Sequence, residues 1–100
     1  MRREAALLTL RSLEPSLRRQ GLEHLYLFGS VARGEASSDS DVDVAFDVQP
    51  EVELKFSLID QSRIHRQISA ALNANVDFVE RAYLRPRIAT SAAKDLVQVF

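Results

Sequence analysis

The chain has 100 residues, 46% of them apolar, which is enough for one modest hydrophobic core and a single domain spanning residues 1–100. Its formal net charge of -1, from 13 basic and 14 acidic residues, excludes the broad phosphate attraction of a basic nucleic-acid coat protein, and we expect no direct DNA binding. It has no cysteine, which excludes disulfides and thiolate metal sites and is typical of the reducing cytoplasm.

The N-terminal segment predicts a helix. Ala5, Leu8 and Leu13, with Ala6 and Leu10 alongside, fit one buried stripe at helical spacing. Polar residues interrupt the segment, so it does not resemble a secretion signal, and no run approaches the roughly 20 apolar residues of a membrane span. We therefore expect a soluble, cytoplasmic protein that does not bind a membrane.

A second short helix is predicted after Pro15, with Gly21 at its end. The run "HLYLFG", residues 24–29, is apolar, rich in aromatic residues and closed by glycine, which predicts a buried strand. The run "VDVAFDV" alternates, which predicts a strand with one polar face. One face holds Val42, Val44, Phe46 and Val48, and the other holds Asp41, Asp43, Ala45 and Asp47.

The second half of the chain predicts a helix, a strand and a helix. Residues 51–72 have helical composition, with a slip of phase at residues 61–63, and "NVDFVE" predicts a third strand that carries Asp77. A last helix is expected from Pro86, before an apolar end, "DLVQVF", that indicates a final core element. The candidate core positions of the long helix are Leu54, Leu58, Ile64, Ile68 and Leu72.

This order of elements predicts an α/β (α+β) fold. Helices would cover one face of a small mixed sheet, because a sheet with one apolar face must bury that face. The uncovered face would then carry the aspartates of the second and third strands.

The segment "FGSVARGEASSDSDVDV", residues 28–44, concentrates the polar chemistry of the chain. A P-loop does not fit, because Glu35 stands where the lysine that reaches the phosphates is needed. A calcium-binding EF-hand loop does not fit either, because Val44 stands where a glycine must turn the chain.

The segment instead describes a strand that ends at Phe28 and turns into a short helix. Backbone N–H groups at such a turn bind phosphate oxygens, and Gly29 and Ser30 form the turn. The hydroxyl of Ser30 and the positive charge of Arg33 would add to this phosphate site.

The carboxylates nearby predict a site for a divalent cation. Asp41 and Asp43 are two residues apart on one strand and project from the same face, where their oxygens suit one or two hard cations such as Mg²⁺. Asp77 on the neighbouring strand is the natural third acid, as a ligand or as a base. A phosphate site that faces bound metal ions is what nucleotidyl transfer requires.

The segment "GSVARGEASSDSDVDV" resembles the signature of the polymerase-beta-type nucleotidyltransferase superfamily, and its "ARGE" and "SD" elements resemble the minimal nucleotidyltransferase (MNT) branch. The resemblance implies the polymerase-beta-like nucleotidyltransferase fold and ATP as the substrate, with Mn²⁺ as a possible substitute for Mg²⁺. It implies that Gly29 and Ser30 meet the triphosphate, and that Asp41, Asp43 and Asp77 are catalytic and bind metal. Further signature positions are matched by Arg33, Glu35 and Ser40. Of these three, the resemblance implies that Arg33 and Ser40 contact the nucleotide.

The resemblance also implies a partner. Small members of the branch transfer AMP to a tyrosine of a co-encoded HEPN-domain RNase toxin, and so act as the antitoxin of a type VII-like toxin–antitoxin module. Two alternatives stay open: a catalytically silent antitoxin that inhibits its partner by binding alone, and a small-molecule nucleotidyltransferase of the aminoglycoside type.

Overall fold

A computed structural model describes residues 1–35, 37, 40–84 and 95–100. The chain forms four helices, two 3-10 turns and one four-stranded sheet within these residues. The elements are α1 (Arg3–Ser12), α2 (Glu14–Arg19), β1 (Leu22–Phe28), α3 (Gly29–Arg33), β2 (Val42–Val48), a 3-10 turn (Pro50–Val52), α4 (Leu58–Leu72), β3 (Val76–Glu80), a second 3-10 turn (Arg81–Tyr83) and β4 (Val97–Gln98).

The sheet is mixed, with the strand order β3-β2-β1-β4. Strand β1 pairs antiparallel with both β2 and β4, whereas β2 and β3 run parallel. The predicted α/β architecture with a small mixed sheet is therefore confirmed. None of the helices in the described parts of the chain has both the length and the apolar character needed to cross a bilayer.

One hydrophobic cluster joins the helices to one face of the sheet. Strand β1 contributes Leu25 and Leu27, and was predicted to be a buried strand. Strand β2 contributes Val42, Val44 and Phe46, as its alternating pattern predicted. The β1–β2 register shifts between Leu22 and His24, so Leu22 before the irregularity and Leu25 after it can both face the core. The helices contribute Ala6, Leu7, Leu10, Leu17, Val31, Ala32, Ile64, Ile68 and Leu72.

The buried stripe of α1 differs from the predicted one. Ala6, Leu7 and Leu10 are buried, whereas Leu8 is 74% exposed and Ala5 is also exposed. Four consecutive apolar residues, 5–8, offer more than one stripe at helical spacing, and packing against the rest of the core selects between them. The prediction that Ala5 and Leu8 are buried is wrong.

Helix α4 begins later than predicted. Its N-cap is Ser57, which forms a capping box with Asp60: the Ser57 hydroxyl accepts from the Asp60 N–H, and the Asp60 carboxylate accepts from the Ser57 N–H. The predicted core positions Leu54 and Leu58 are 102% and 81% exposed, because they lie before the helix and at its first residue. The prediction for the other three positions, Ile64, Ile68 and Leu72, is confirmed.

Three further predictions concern Ala45 and the C-terminal part of the chain. Ala45 lies on the polar side of β2 by alternation, yet it is fully buried, because larger neighbours can cover its small side chain. The helix predicted from Pro86 falls within residues 85–94, outside the described residues. The apolar end is a core element, as expected: β4 pairs with β1, and Val99 and Phe100 join the hydrophobic cluster.

Candidate active site

The turn at the end of β1 brings the backbone against the second strand. Gly29 begins α3 with a φ of +74°, in the left-handed region that favours glycine. A Cβ atom at Gly29 would overlap Oδ2 of Asp43 and would lie 3.0 Å from its Cγ. We call Gly29–Ser30 the phosphate turn, and its glycine is required both by backbone conformation and by the close approach of Asp43.

Asp43 and Asp77 lie side by side on parallel strands. They are register partners in the β2–β3 pair, so their carboxyl groups are neighbours. Burial, together with the negative charge of Asp77 and a hydrogen bond that a proton on Asp43 would make to it, raises the pKa of Asp43 to about 6. The two residues form what we call the carboxylate pair.

Asp41 lies at the same end of the sheet but is exposed. It precedes β2 by one residue, and its charge adds a smaller contribution to the raised pKa of Asp43. Within the described ranges, no three acidic or histidine side chains come close enough together to form a ready metal cluster. The structure thus brings together two of the three predicted acids and leaves the third one nearby.

The donor set at the carboxylate pair fits a hard divalent cation. Carboxylate oxygens are the ligands that Mg²⁺ and Mn²⁺ prefer, and a doubly charged ion would offset the repulsion from Asp77 that helps to raise the pKa of Asp43. Asp43 and Asp77 would hold such an ion, and Asp41 would add an oxygen after a side-chain movement.

Arg33 lies in the last turn of α3 and makes two ion pairs. Its Nε donates to Glu35 Oε2 at 3.0 Å, and its Nη1 donates to Asp95 Oδ2 at 2.7 Å. The positive charge of Arg33 also acts on Asp43, where it opposes the rise in pKa. Arg33 therefore lies within electrostatic reach of the carboxylate pair.

Ser40 lies just before Asp41 and bonds locally. Its Oγ accepts from the backbone N–H of Ser37 at 3.1 Å. Ser40 and Asp41 also line a polar cleft of about 600 Å³, together with Ser69, Ala70, Asn73, Ala74 and Asn75. The cleft opens at the end of the sheet that carries the predicted site residues.

A second, more apolar cleft of about 660 Å³ lies elsewhere. It borders the start of α4 and the C-terminal half of β3, and it includes Phe56, Leu58, Phe78 and Tyr83. Asp43 and Asp77 are not among the residues that line it. This cleft is therefore separate from the carboxylate pair.

The sequence interpretation missed Asp95. No local motif marks this residue, and it reaches Arg33 only because β4 returns along β1. The ion pair joins residues 62 positions apart, so its only sequence signal was an acidic residue directly before an apolar run.

The fold and the site define a class of protein that moves nucleotides, and comparisons with known proteins agree. The family model described as "Nucleotidyltransferase domain" matches residues 10–99. The chain is 33% identical to the protein adenylyltransferase MntA of Thermococcus cleftensis, over 94% of this chain and 99% of that protein.

Solved structures are similar over nearly the whole chain. A minimal nucleotidyltransferase is 32% identical, with a TM-score of 0.77, and the match covers 97% of this chain and 95% of that one. The tri-AMPylated Shewanella oneidensis HEPN toxin in complex with its MNT antitoxin gives a TM-score of 0.67 at 20% identity, covering 95% of this chain and 71% of the matched chain. The latter likeness concerns the fold alone.

The chain belongs to the nucleotidyltransferase domain family. It is a nucleotidyltransferase, and its relatives agree with the MNT branch indicated by the sequence.

Proposed function

We propose that this protein is a magnesium-dependent adenylyltransferase that transfers AMP from ATP to a tyrosine hydroxyl of a HEPN-domain RNase toxin, and thereby acts as its antitoxin. The single observation that carries the proposal is the contact between the phosphate turn and the carboxylate pair. Gly29 lies directly against Asp43, so a triphosphate on the turn would meet a cation held by Asp43 and Asp77.

The names of the relatives support the choice of substrate and partner. The Thermococcus relative is named a protein adenylyltransferase, and the Shewanella complex pairs an MNT antitoxin with an AMPylated HEPN toxin. Carrying this over implies ATP as the donor, a protein acceptor, and action in the cytoplasm. It also implies that residues 1–100 form one catalytic domain whose acceptor surface comes mainly from the partner.

The reaction has one bond formed and one broken. The acceptor hydroxyl oxygen attacks the α-phosphorus of ATP, the bond to the bridging oxygen of the β-phosphate breaks, and pyrophosphate leaves with that electron pair. Asp77 is exposed and takes the hydroxyl proton, whereas Asp43 is half-buried and fixed by its neighbours. A bound Mg²⁺ supplies charge neutralisation for the phosphates and the leaving group.

The remaining predicted residues would hold the nucleotide. Backbone N–H groups of the phosphate turn and the Ser30 hydroxyl would donate to phosphate oxygens, and Arg33 would add a positive charge. Asp41 would complete the metal ligands. Ser40, on the wall of the polar cleft, would contact the nucleotide beyond the phosphates.

The proposal is tested with ATP labelled at either the α- or the γ-phosphate. With Mg²⁺ and a HEPN partner, α-labelled ATP should label the partner, γ-labelled ATP should not, and a chelator should stop labelling. Peptide mapping should place the AMP on a tyrosine. Label from the γ-phosphate would mean kinase chemistry, and labelling that survives the chelator would contradict the role of the metal.

A further inference from the structure

We propose that Asp95 is a positioning residue, which holds the guanidinium group of Arg33 beside the phosphate turn so that it can meet the triphosphate. This inference rests on the proposed function, because it assigns the bound anion to the nucleotide. The contact that carries it is short: Arg33 Nη1 donates to Asp95 Oδ2 at 2.7 Å.

The β1–β4 pairing explains how Asp95 reaches this place. Leu27 pairs with Val97, and Tyr26 pairs with Gln98. Asp95 lies two residues before β4, and the antiparallel pairing places that end of β4 beside the end of β1 from which the phosphate turn continues. Strand β4 lies on the opposite side of β1 from β2, so the C-terminal part of the chain brings a carboxylate to the side of the turn away from Asp43. No sequence motif marks this carboxylate.

The two ion pairs of Arg33 are not equivalent. The side chain of Glu35 is 66% exposed, whereas that of Asp95 is only 19% exposed. An exposed partner contributes little, because solvent screens its charge and its side chain is free to move. Asp95 is the partner that fixes Arg33.

A lone carboxylate beside a triphosphate site would repel the nucleotide. When Asp95 is paired with Arg33, its negative charge is neutralised. The pair also holds the guanidinium group in one orientation before ATP binds, so that little side-chain entropy is lost on binding. The contacts found among the described residues occupy Nε and Nη1 of Arg33, which leaves Nη2 to donate to a phosphate oxygen. An arginine can serve both groups because its donors form a rigid fork.

Nucleotide binding tests the proposal without the acceptor protein. We would measure the affinity of AMP-PNP with Mg²⁺ by calorimetry for the wild type, Asp95→Asn and Asp95→Glu. Glu14→Gln is the matched control, because it breaks an arginine ion pair of the same 2.7 Å length, with Arg18, on α2. The unfolding temperature of each variant would be recorded alongside.

Asp95→Asn should weaken AMP-PNP binding about tenfold, the scale of one charged hydrogen bond, and should raise KM more than it lowers kcat. Asp95→Glu should recover most of the affinity. Glu14→Gln should leave it unchanged. With Arg33→Gln already present, Asp95→Asn should cause no further loss, because the two residues act as a unit.

Two results would overturn the proposal while the wild type still binds the nucleotide. Unchanged affinity in Asp95→Asn, with a lower unfolding temperature alone, would mean that the ion pair only ties the C-terminal segment to α3. Tighter binding would mean that Asp95 competes with the triphosphate for Arg33. If the wild type itself fails to bind AMP-PNP with Mg²⁺, the proposed function falls together with this inference.

Discussion

Gly29 and Asp43 lie so close together that no side chain fits between them. The backbone of the turn after β1 packs directly on the half-buried carboxyl of β2, and a Cβ at Gly29 would overlap Asp43 Oδ2. The turn proposed to bind phosphate and the strand proposed to bind metal therefore pack directly against each other.

This contact gives the first prediction. Gly29→Ala should displace Asp43, and should reduce both nucleotide binding and transfer by at least about tenfold, because small misplacements at a reacting centre are costly. Gly34→Ala is the control: Gly34 has the same φ of +74°, but a Cβ there meets no atom of the described residues within 4 Å. Activity assays and thermal unfolding of both variants are the measurement.

Gly34→Ala should cost about 1 kcal/mol of stability from the left-handed backbone alone, with near-normal activity. If the two variants lose activity equally, the backbone conformation matters and the contact with Asp43 does not.

The second prediction concerns the pH dependence of stability without metal. The folded state raises the pKa of Asp43 from 3.8 to about 6, so folding favours its protonated form. This contribution is fully present below pH 3.8 and is lost as the pH rises through about 6. In a chelator at pH 7–8, Asp43→Asn should therefore be more stable than the wild type, on the order of 1 kcal/mol after allowing for solvent screening.

Asp60→Asn is a control, because the contribution of Asp60 to stability should change with pH in the opposite direction to that of Asp43. Hydrogen bonds from Ser57 lower the pKa of Asp60, so its contribution to stability is present above its unfolded pKa and is lost as the pH falls. Denaturant unfolding from pH 3 to pH 8 would compare the slopes. A wild-type and an Asp43→Asn curve that run parallel would contradict the raised pKa.

The third prediction is that the N-cap of α4 matters for stability and does not matter for nucleotide binding. Ser57→Ala removes the N-cap and should destabilise the protein by about 1 kcal/mol, since the N–H of Asp60 loses its acceptor. Affinity for AMP-PNP should not change, because α4 begins away from the carboxylate pair. Thermal unfolding and calorimetry on the same sample check both halves. A loss of affinity would mean that the start of α4 contributes to the nucleotide site.

The sequence predicted the architecture because its strands carry strong local patterns. The alternation in β2 and the glycine after β1 each depend on neighbours in the chain, and the structure agrees with both. The helices were harder. The apolar residues before Ser57 extend the helical composition of α4, and only the Ser57–Asp60 capping box, which the sequence does contain, marks the true start.

The site was predictable to the extent that it depends on local order. The Gly29–Ser30 turn and the spacing of Asp41 and Asp43 lie in one segment, whereas the pairing of Asp43 with Asp77 needed the parallel register of two strands. The Arg33–Asp95 contact depends on a two-residue strand at the C-terminal end. Contacts of this kind come from tertiary packing, which no local spacing encodes.

The fourth prediction concerns the central claim, that the protein acts by transferring a nucleotide. Asp43→Asn keeps the size of the side chain but removes a negative charge where the cation should bind. The rate of transfer should fall by at least about 10²- to 10³-fold, the usual cost of one such electrostatic group. Binding to the partner should persist, because an interface of standard size extends well beyond one side chain.

The most direct measurement is to copurify Asp43→Asn with its HEPN partner and to assay the partner's RNase activity beside the wild-type complex. If transfer is the mechanism, the variant complex should form, the partner should carry no AMP, and its RNase activity should remain. If the variant binds and silences the partner fully without transferring AMP, inhibition is by occlusion, and the account of this protein as an adenylylating antitoxin is wrong.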